Sequence, residues 1–150
     1  MKAYGLALLL LAPSVAWAEP GLPELISLPE LTGPQSDYVE HCSGCHGMQG
    51  DSAPAEIPVL RGRVGYFMCT KEGREYLIRL PNVAYSAITD NQELADMMNF
   101  VVFGLGGNSA PKAAKPYSAE DIKAARAQGR VAPGDVAAQH TDLAAKKIVP

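Results

Sequence analysis

The most regular alternation of apolar and polar positions in this chain lies between residues 90 and 105. Apolar side chains recur there at the spacing of one helix face, and they are Leu94, Met97, Met98, Val101, Val102 and Leu105. Thr89 and Gln92 precede this run in the order of a capping box, and glycine fills three of the four positions 104–107. The pattern predicts an α-helix over residues 90–103 that buries one face.

Shorter stretches predict three more helices. They start near Ser36 or Asp37, near Lys71 and at Ser118, and they run into residues 42–46, to Leu80 and to about Gln128. Pro81 supports the second boundary because the residue before a proline avoids helical geometry, and Ser118 with Asp121 resembles a capping box. Since no pair of alternating strands is visible, we predict an all-α domain of about four helices.

The two ends of the chain differ in composition from its centre. Lys2, an apolar run over residues 5–12 and the sequence Ala-Trp-Ala at 16–18 indicate a cleaved signal peptide over residues 1–18. The run is too short to span a membrane comfortably, although an uncleaved anchor is the alternative. Four prolines over residues 19–35 predict an extended arm, and residues 131–150 predict a flexible tail.

These boundaries leave residues 36–130 as one folded domain. Removal of the signal peptide takes away one lysine and no acidic residue, so the formal net charge changes from −3 to −4. Such mild acidity argues against nucleic acid or an anionic lipid surface as the main partner.

The densest group of reactive side chains is Cys-Ser-Gly-Cys-His at residues 42–46. Two thiols three residues apart share one face of a helical turn, where they can add to the two vinyl groups of one haem edge. His46 follows directly and can ligate the iron from the proximal side. The segment therefore predicts one covalent haem c held by Cys42, Cys45 and His46, and the haem would supply apolar mass to a small helical core.

Two other chemistries use the same spacing. A zinc site would need two more soft ligands, and the remaining cysteine and histidines are Cys69, His41 and His140. A redox dithiol would normally stand in a βαβ context, which the helical pattern does not provide.

The order of signal peptide, helix, C-x-x-C-H, proline-containing loop and capped helix resembles a class I c-type cytochrome over residues 36–128. Residues 58–65, Pro-Val-Leu-Arg-Gly-Arg-Val-Gly, look like the P-x-L-x-G loop of that family, whose proline and leucine line the proximal haem pocket. The resemblance places Arg63 best among the arginines to bind a haem propionate, ahead of Arg61 and Arg74. Residues 106–111 and 117–122 look like the tail of periplasmic dehydrogenase-associated cytochrome domains.

The resemblance implies a cytochrome c-like fold around one haem and a function in electron transfer rather than catalysis. We expect a periplasmic one-electron carrier that links a dehydrogenase to a respiratory acceptor, with redox proteins as partners. No stable membrane span is expected after signal cleavage.

The chain departs from the family at the sixth iron ligand, usually a methionine shortly before the capped helix. Residues 81–88 contain no Met, His or Lys. We expect Met68 or Met98 to take this position, although Met97 and Cys69 are further candidates. If no side chain closes the site, the alternative function is a haem protein with an open or weakly ligated distal site that binds a small ligand or peroxide.

Overall fold

The structure is a computed structural model that describes residues 30–52 and 57–131. Those residues form no strand, so the predicted all-α class is confirmed. The α-helices are α1 (Gly33–His41), α2 (Ser43–His46), α3 (Lys71–Arg79), α4 (Pro81–Ala84), α5 (Asn91–Asn99) and α6 (Ala119–Gln128). Two 3₁₀ helices, Val64–Cys69 and Gly107–Ser109, and one π-helix, Phe100–Leu105, complete the described elements.

Three of the sequence-based expectations concern residues that lie mainly outside these described ranges. The predicted signal peptide lies outside the described residues, as do most of the predicted arm and all of the predicted tail except Val131. Within the described ranges, no helix combines the length and apolar character needed to cross a bilayer.

Helix α1 begins at Gly33, three residues before the predicted start. The backbone N–H of Thr32 donates to Gln35 Oε1 at 2.9 Å, which satisfies a group that would otherwise lack a partner at the helix start. Pro34 stands in the first turn, where its missing N–H removes no intrahelical hydrogen bond.

Helix α5 and the π-helix that follows it carry the predicted buried stripe, but α5 differs from the prediction at both ends. All six predicted core positions of residues 94–105 are at most 5% exposed. The N-cap is Asp90 rather than Thr89, because Asp90 Oδ1 accepts hydrogen bonds from the backbone N–H groups of Gln92 and Glu93 at 2.8 and 2.9 Å. The predicted α-helix to residue 103 is wrong after Asn99, where the chain continues as the π-helix.

Helix α6 agrees closely with its prediction. Ser118 is the N-cap and forms a capping box with Asp121, and Gly129 ends the helix with φ +76°. Burial would raise the pKa of the Asp121 carboxyl, but hydrogen bonds from Ser118 and the Arg74 guanidinium outweigh it and lower that pKa.

Three arginines fasten α6 and its flanking residues to the rest of the domain. Arg74 donates to the carbonyls of Lys115 and Pro116 and to Asp121. Arg79 donates to the Gly129 carbonyl at 3.1 Å. Arg126 donates to the carbonyls of Ile88 and Thr89 and to Asn91 Oδ1. Through Arg126, α6 holds the segment that precedes α5.

The core is assembled where α1 packs on α5 and the π-helix. Tyr38 is fully buried, and its ring meets Phe100 edge to face with the centroids 5.8 Å apart. Its hydroxyl donates to the Gly47 carbonyl at 2.7 Å, directly after the C-x-x-C-H segment. One buried side chain therefore joins α1, the π-helix and the candidate site.

A second contact between distant segments depends on glycine. Gly65, in the first 3₁₀ helix, lies against Gly106, at the end of the π-helix. A methyl group added at Gly106 would stand 2.8 Å from the backbone nitrogen of Gly65, so the two backbones approach closely because Gly106 has no side chain. A methyl group added at Gly65 would instead meet Ser109 and Ala110.

Candidate functional site

The two cysteines of the C-x-x-C-H segment lie on one helical turn at the junction of α1 and α2. The Cys42 carbonyl accepts hydrogen bonds from the backbone N–H groups of Cys45 at 3.2 Å and His46 at 3.0 Å. Cys42 is half-buried and packs against the core, whereas Cys45 is exposed. The turn thus runs from the core to the surface, with one sulfur at each end.

Burial and the neighbouring Cys45 raise the pKa of the Cys42 thiol to about 11. Reactive dithiols of the C-x-x-C type work through a thiolate whose pKa is lowered. The environment of Cys42 therefore argues against redox dithiol chemistry.

The His46 imidazole is oriented by the loop that follows it. Its Nδ1 lies 3.0 Å from the carbonyl oxygen of Pro58. Because a carbonyl can only accept, the proton sits on Nδ1 and the lone pair of Nε2 stays free. Histidines that ligate metals usually donate their other ring N–H to such an acceptor, which fixes the tautomer and raises ligand basicity.

Ser52 also binds the Pro58 carbonyl, and sequence reasoning missed it. Its hydroxyl donates to that oxygen at 2.8 Å, and its backbone N–H donates to the His46 carbonyl at 2.9 Å. Ser52 has φ +56°, the only positive φ of a non-glycine residue in the described ranges. The long-range contact and the unusual backbone have no signature in the sequence.

The Pro58–Leu60 segment is tied into the domain by backbone hydrogen bonds. The Gly50 carbonyl accepts from the N–H groups of Leu60 and Arg61 at 2.8 and 3.1 Å, and the Gly62 N–H donates to the Leu105 carbonyl at 2.9 Å. These bonds join the loop to the residues after α2 and to the π-helix. The loop therefore holds the acceptor of His46 in a fixed place.

Exposed apolar side chains flank this site. Met48 lies two residues after His46 and is 37% exposed, and Val59 follows Pro58 and is 42% exposed. Cys45 is exposed as well.

The arginines proposed for haem propionates have different surroundings. Arg63 is exposed, and its assignment stays a prediction. The Nε of Arg61 lies 4.0 Å from Asp51 Oδ1. Arg74 is engaged by α6 as described above, and its guanidinium also lies 4.2 Å from the ring centroid of Tyr117, so its predicted propionate role would break these contacts.

The candidate distal methionines lie in the apolar core. Met68 is 8% exposed, Met97 is 1% exposed and Met98 is 4% exposed. Cys69 is exposed at the end of its 3₁₀ helix, and His41 is exposed as well. The assignment of Met68 or Met98 to the iron stays a prediction, and His140 lies outside the described residues.

Residues 81–88, the segment expected to carry a distal ligand, form α4 and a turn. Tyr85 is 66% exposed there, and the Arg130 guanidinium lies 5.7 Å from its ring centroid. Ile88 is buried, and its carbonyl is held by Arg126. The segment is anchored but contains no thioether, imidazole or amine.

The donor set fits a covalently attached haem better than a zinc ion. Over residues 30–52 and 57–131, no three His, Cys, Asp or Glu side chains group closely enough to hold a metal. Two sulfurs one turn apart and an imidazole with a free Nε2 are the groups that a haem with two thioether bonds and one axial histidine requires. Cys42, Cys45 and His46 are thus the residues that would hold it.

Comparison with known proteins points the same way. The chain matches no known family profile. It is 28% identical to cytochrome c-552 from Thermus thermophilus, over 70% of this chain and 92% of the relative. A second cytochrome c-552, from a named strain of the same species, is also 28% identical, with 82% of its length covered. The helical fold, the C-x-x-C-H segment and this similarity are consistent with a mono-haem c-type cytochrome of class I, which carries haem c as its cofactor.

Proposed function

We propose that the protein is a one-electron carrier of the periplasm that links a dehydrogenase to a respiratory acceptor. The orientation of His46 carries the proposal, because its Nδ1 faces the Pro58 carbonyl and its Nε2 is free to ligate iron. Cys42 and Cys45 hold the haem, which supplies a one-electron couple when bound. Since Cys45 lies at the surface, the edge attached there is close to a docking partner.

The location rests on the first 18 residues and on the site chemistry. A positive residue, an apolar run and an Ala-Trp-Ala sequence indicate export. Covalent haem attachment in bacteria takes place outside the cytoplasm, so the signal peptide and the haem segment support the same compartment. The dehydrogenase partner rests on the resemblance of residues 106–111 and 117–122 to dehydrogenase-associated cytochrome domains.

Electron transfer is tested with the mature haem-loaded protein. We expect one haem per chain by the pyridine haemochrome assay and a reversible one-electron redox titration. We also expect reduction by a quinoprotein alcohol or amine dehydrogenase that depends on the dehydrogenase substrate. Reoxidation by membranes with an active respiratory chain completes the measurement. The carrier function would be contradicted if the dehydrogenase reduced the haem-loaded protein no faster than a chemical mediator does, and if the membranes reoxidised it no faster than the mediator does.

A second candidate function is favoured by the composition of residues 81–88. This segment has no Met, His or Lys at the place where the class I cytochromes usually carry the distal ligand. The missing ligand favours an open or weakly ligated distal site that takes a small ligand or peroxide.

Met68→Ala and Met98→Ala separate the two distal arrangements. A methionine ligand gives the ferric protein a weak band near ~700 nm, and we expect the variant of the true ligand to lose it. With an open site, the wild type and both variants share a high-spin ferric spectrum, and their ferrous forms bind carbon monoxide rapidly. If the wild type and both variants are low-spin and bind no carbon monoxide, the distal site is not open. The same result would also contradict Met68 and Met98 as the distal ligand.

A further inference from the structure

The carbonyl of Pro58 is shared by two donors. His46 Nδ1–H donates to it at 3.0 Å, and the Ser52 hydroxyl donates to it at 2.8 Å. A carbonyl oxygen has two lone pairs, so both bonds can exist together. Each bond withdraws electron density from the same oxygen, however, so each donor weakens the acceptor for the other.

The backbone of Ser52 is held in a conformation that an L-residue rarely adopts. With φ +56°, the residue lies in the left-handed region, which costs a non-glycine residue conformational energy. Two bonds oppose that cost: the Ser52 N–H donates to the His46 carbonyl at 2.9 Å, and the hydroxyl binds Pro58. Glycine would adopt the same backbone without strain but would lack the hydroxyl.

We propose that Ser52 is a positioning residue that tunes the axial imidazole by competing with it for the Pro58 carbonyl. A strong acceptor on Nδ1–H gives the imidazole more imidazolate character, which stabilises Fe(III). The Ser52 hydroxyl weakens that acceptor, so it lowers the basicity of His46 and raises the reduction potential. The inference rests on the proposed function, because it requires haem c ligated through His46.

The test compares the midpoint potentials of Ser52→Ala and Ser52→Gly in the mature haem-loaded protein. Both variants remove the hydroxyl, but alanine keeps the backbone strain and glycine relieves it. We expect both to lower the ratio of reduced to oxidised protein at a fixed solution potential by about two- to fivefold, the size of a fraction of one neutral hydrogen bond.

Haem content separates this inference from the proposed function. If Ser52→Ala loads haem poorly, Ser52→Gly carries the comparison, because its backbone is unstrained. Wild-type potentials in both variants, or a shift in Ser52→Ala alone, would overturn the role of the hydroxyl. A wild-type protein without covalent haem or without a one-electron titration would instead overturn the proposed function.

Discussion

Replacing Cys42 and Cys45 together by alanine is expected to abolish covalent haem attachment and cooperative folding. The described core is small, and Cys42 packs directly against it, so a haem held there contributes apolar contacts that the chain does not replace. A cofactor that binds only the folded state adds its binding energy to stability. The expected loss is most of a typical domain stability, on the order of 5 kcal/mol or more.

Haem staining after denaturing electrophoresis and the thermal transition followed by circular dichroism measure these two effects. Cys69→Ala is the matched control, because it removes an exposed thiol outside the C-x-x-C-H turn and should keep haem and transition unchanged. A double variant that melts cooperatively at the wild-type temperature would show that the helices form their core without the haem.

Alanine at Gly65 or Gly106 is expected to destabilise the domain by about 3 kcal/mol or more. The added methyl group at Gly65 would contact the backbone nitrogen of Ala110 and stand 2.5 Å from Ser109 Oγ and 2.8 Å from the Ala110 Cα. At Gly106 it would contact the Val102 carbonyl oxygen and the Gly65 backbone. Most of these neighbours are backbone atoms, which cannot turn away as a flexible side chain could.

Chemical denaturation of the haem-loaded variants gives the free energy of unfolding. Gly33→Ala is the control, because a methyl group there has no neighbour within 4 Å. In the double variant at 65 and 106, the loss in the free energy of unfolding should be smaller than the sum of the two single losses. Both methyl groups force the first 3₁₀ helix away from residues 106–110, so the second adds less than the first. Unchanged stability in either single variant would contradict the close approach.

The elements that the sequence predicts best are those whose signals are local. Ser118 and Asp121 are three residues apart and form the expected capping box, and Gly129 ends α6 as expected. The start of α5 shows the limit of such signals, since the sequence pattern predicts Thr89 as the N-cap and the structure has Asp90. Asp90 takes the role, because its carboxylate reaches two backbone N–H groups at once.

The π-helix after Asn99 depends on partners far away in the chain. The Asn99 amide donates to the Tyr117 carbonyl at 3.0 Å and accepts from the Tyr117 N–H at 2.7 Å. Phe100 packs on Tyr38, and Gly106 must meet Gly65. None of these partners is visible in the local spacing of residues 99–105, which by itself favours an uninterrupted α-helix.

The candidate site also contains residues that local spacing predicts and residues that it does not. Cys42, Cys45 and His46 can be predicted because five consecutive residues contain their whole geometry. Ser52 and the Pro58 carbonyl act on His46 from 6 and 12 residues away, through a backbone conformation that serine rarely adopts. The distal ligand is harder still, because a methionine serves equally well as core packing and as a ligand.

The arginine contacts around α6 bear on how the protein responds to its surroundings. Among the acceptors of Arg74, Arg79 and Arg126 described above, only Asp121 is charged, and the others are amide oxygens. Dissolved salt mainly screens attraction between charges and acts little on a short bond to an amide oxygen. Helix α6 should therefore stay attached to the domain when the ionic strength rises, so high salt alone should not release the segment before α5 that Arg126 holds.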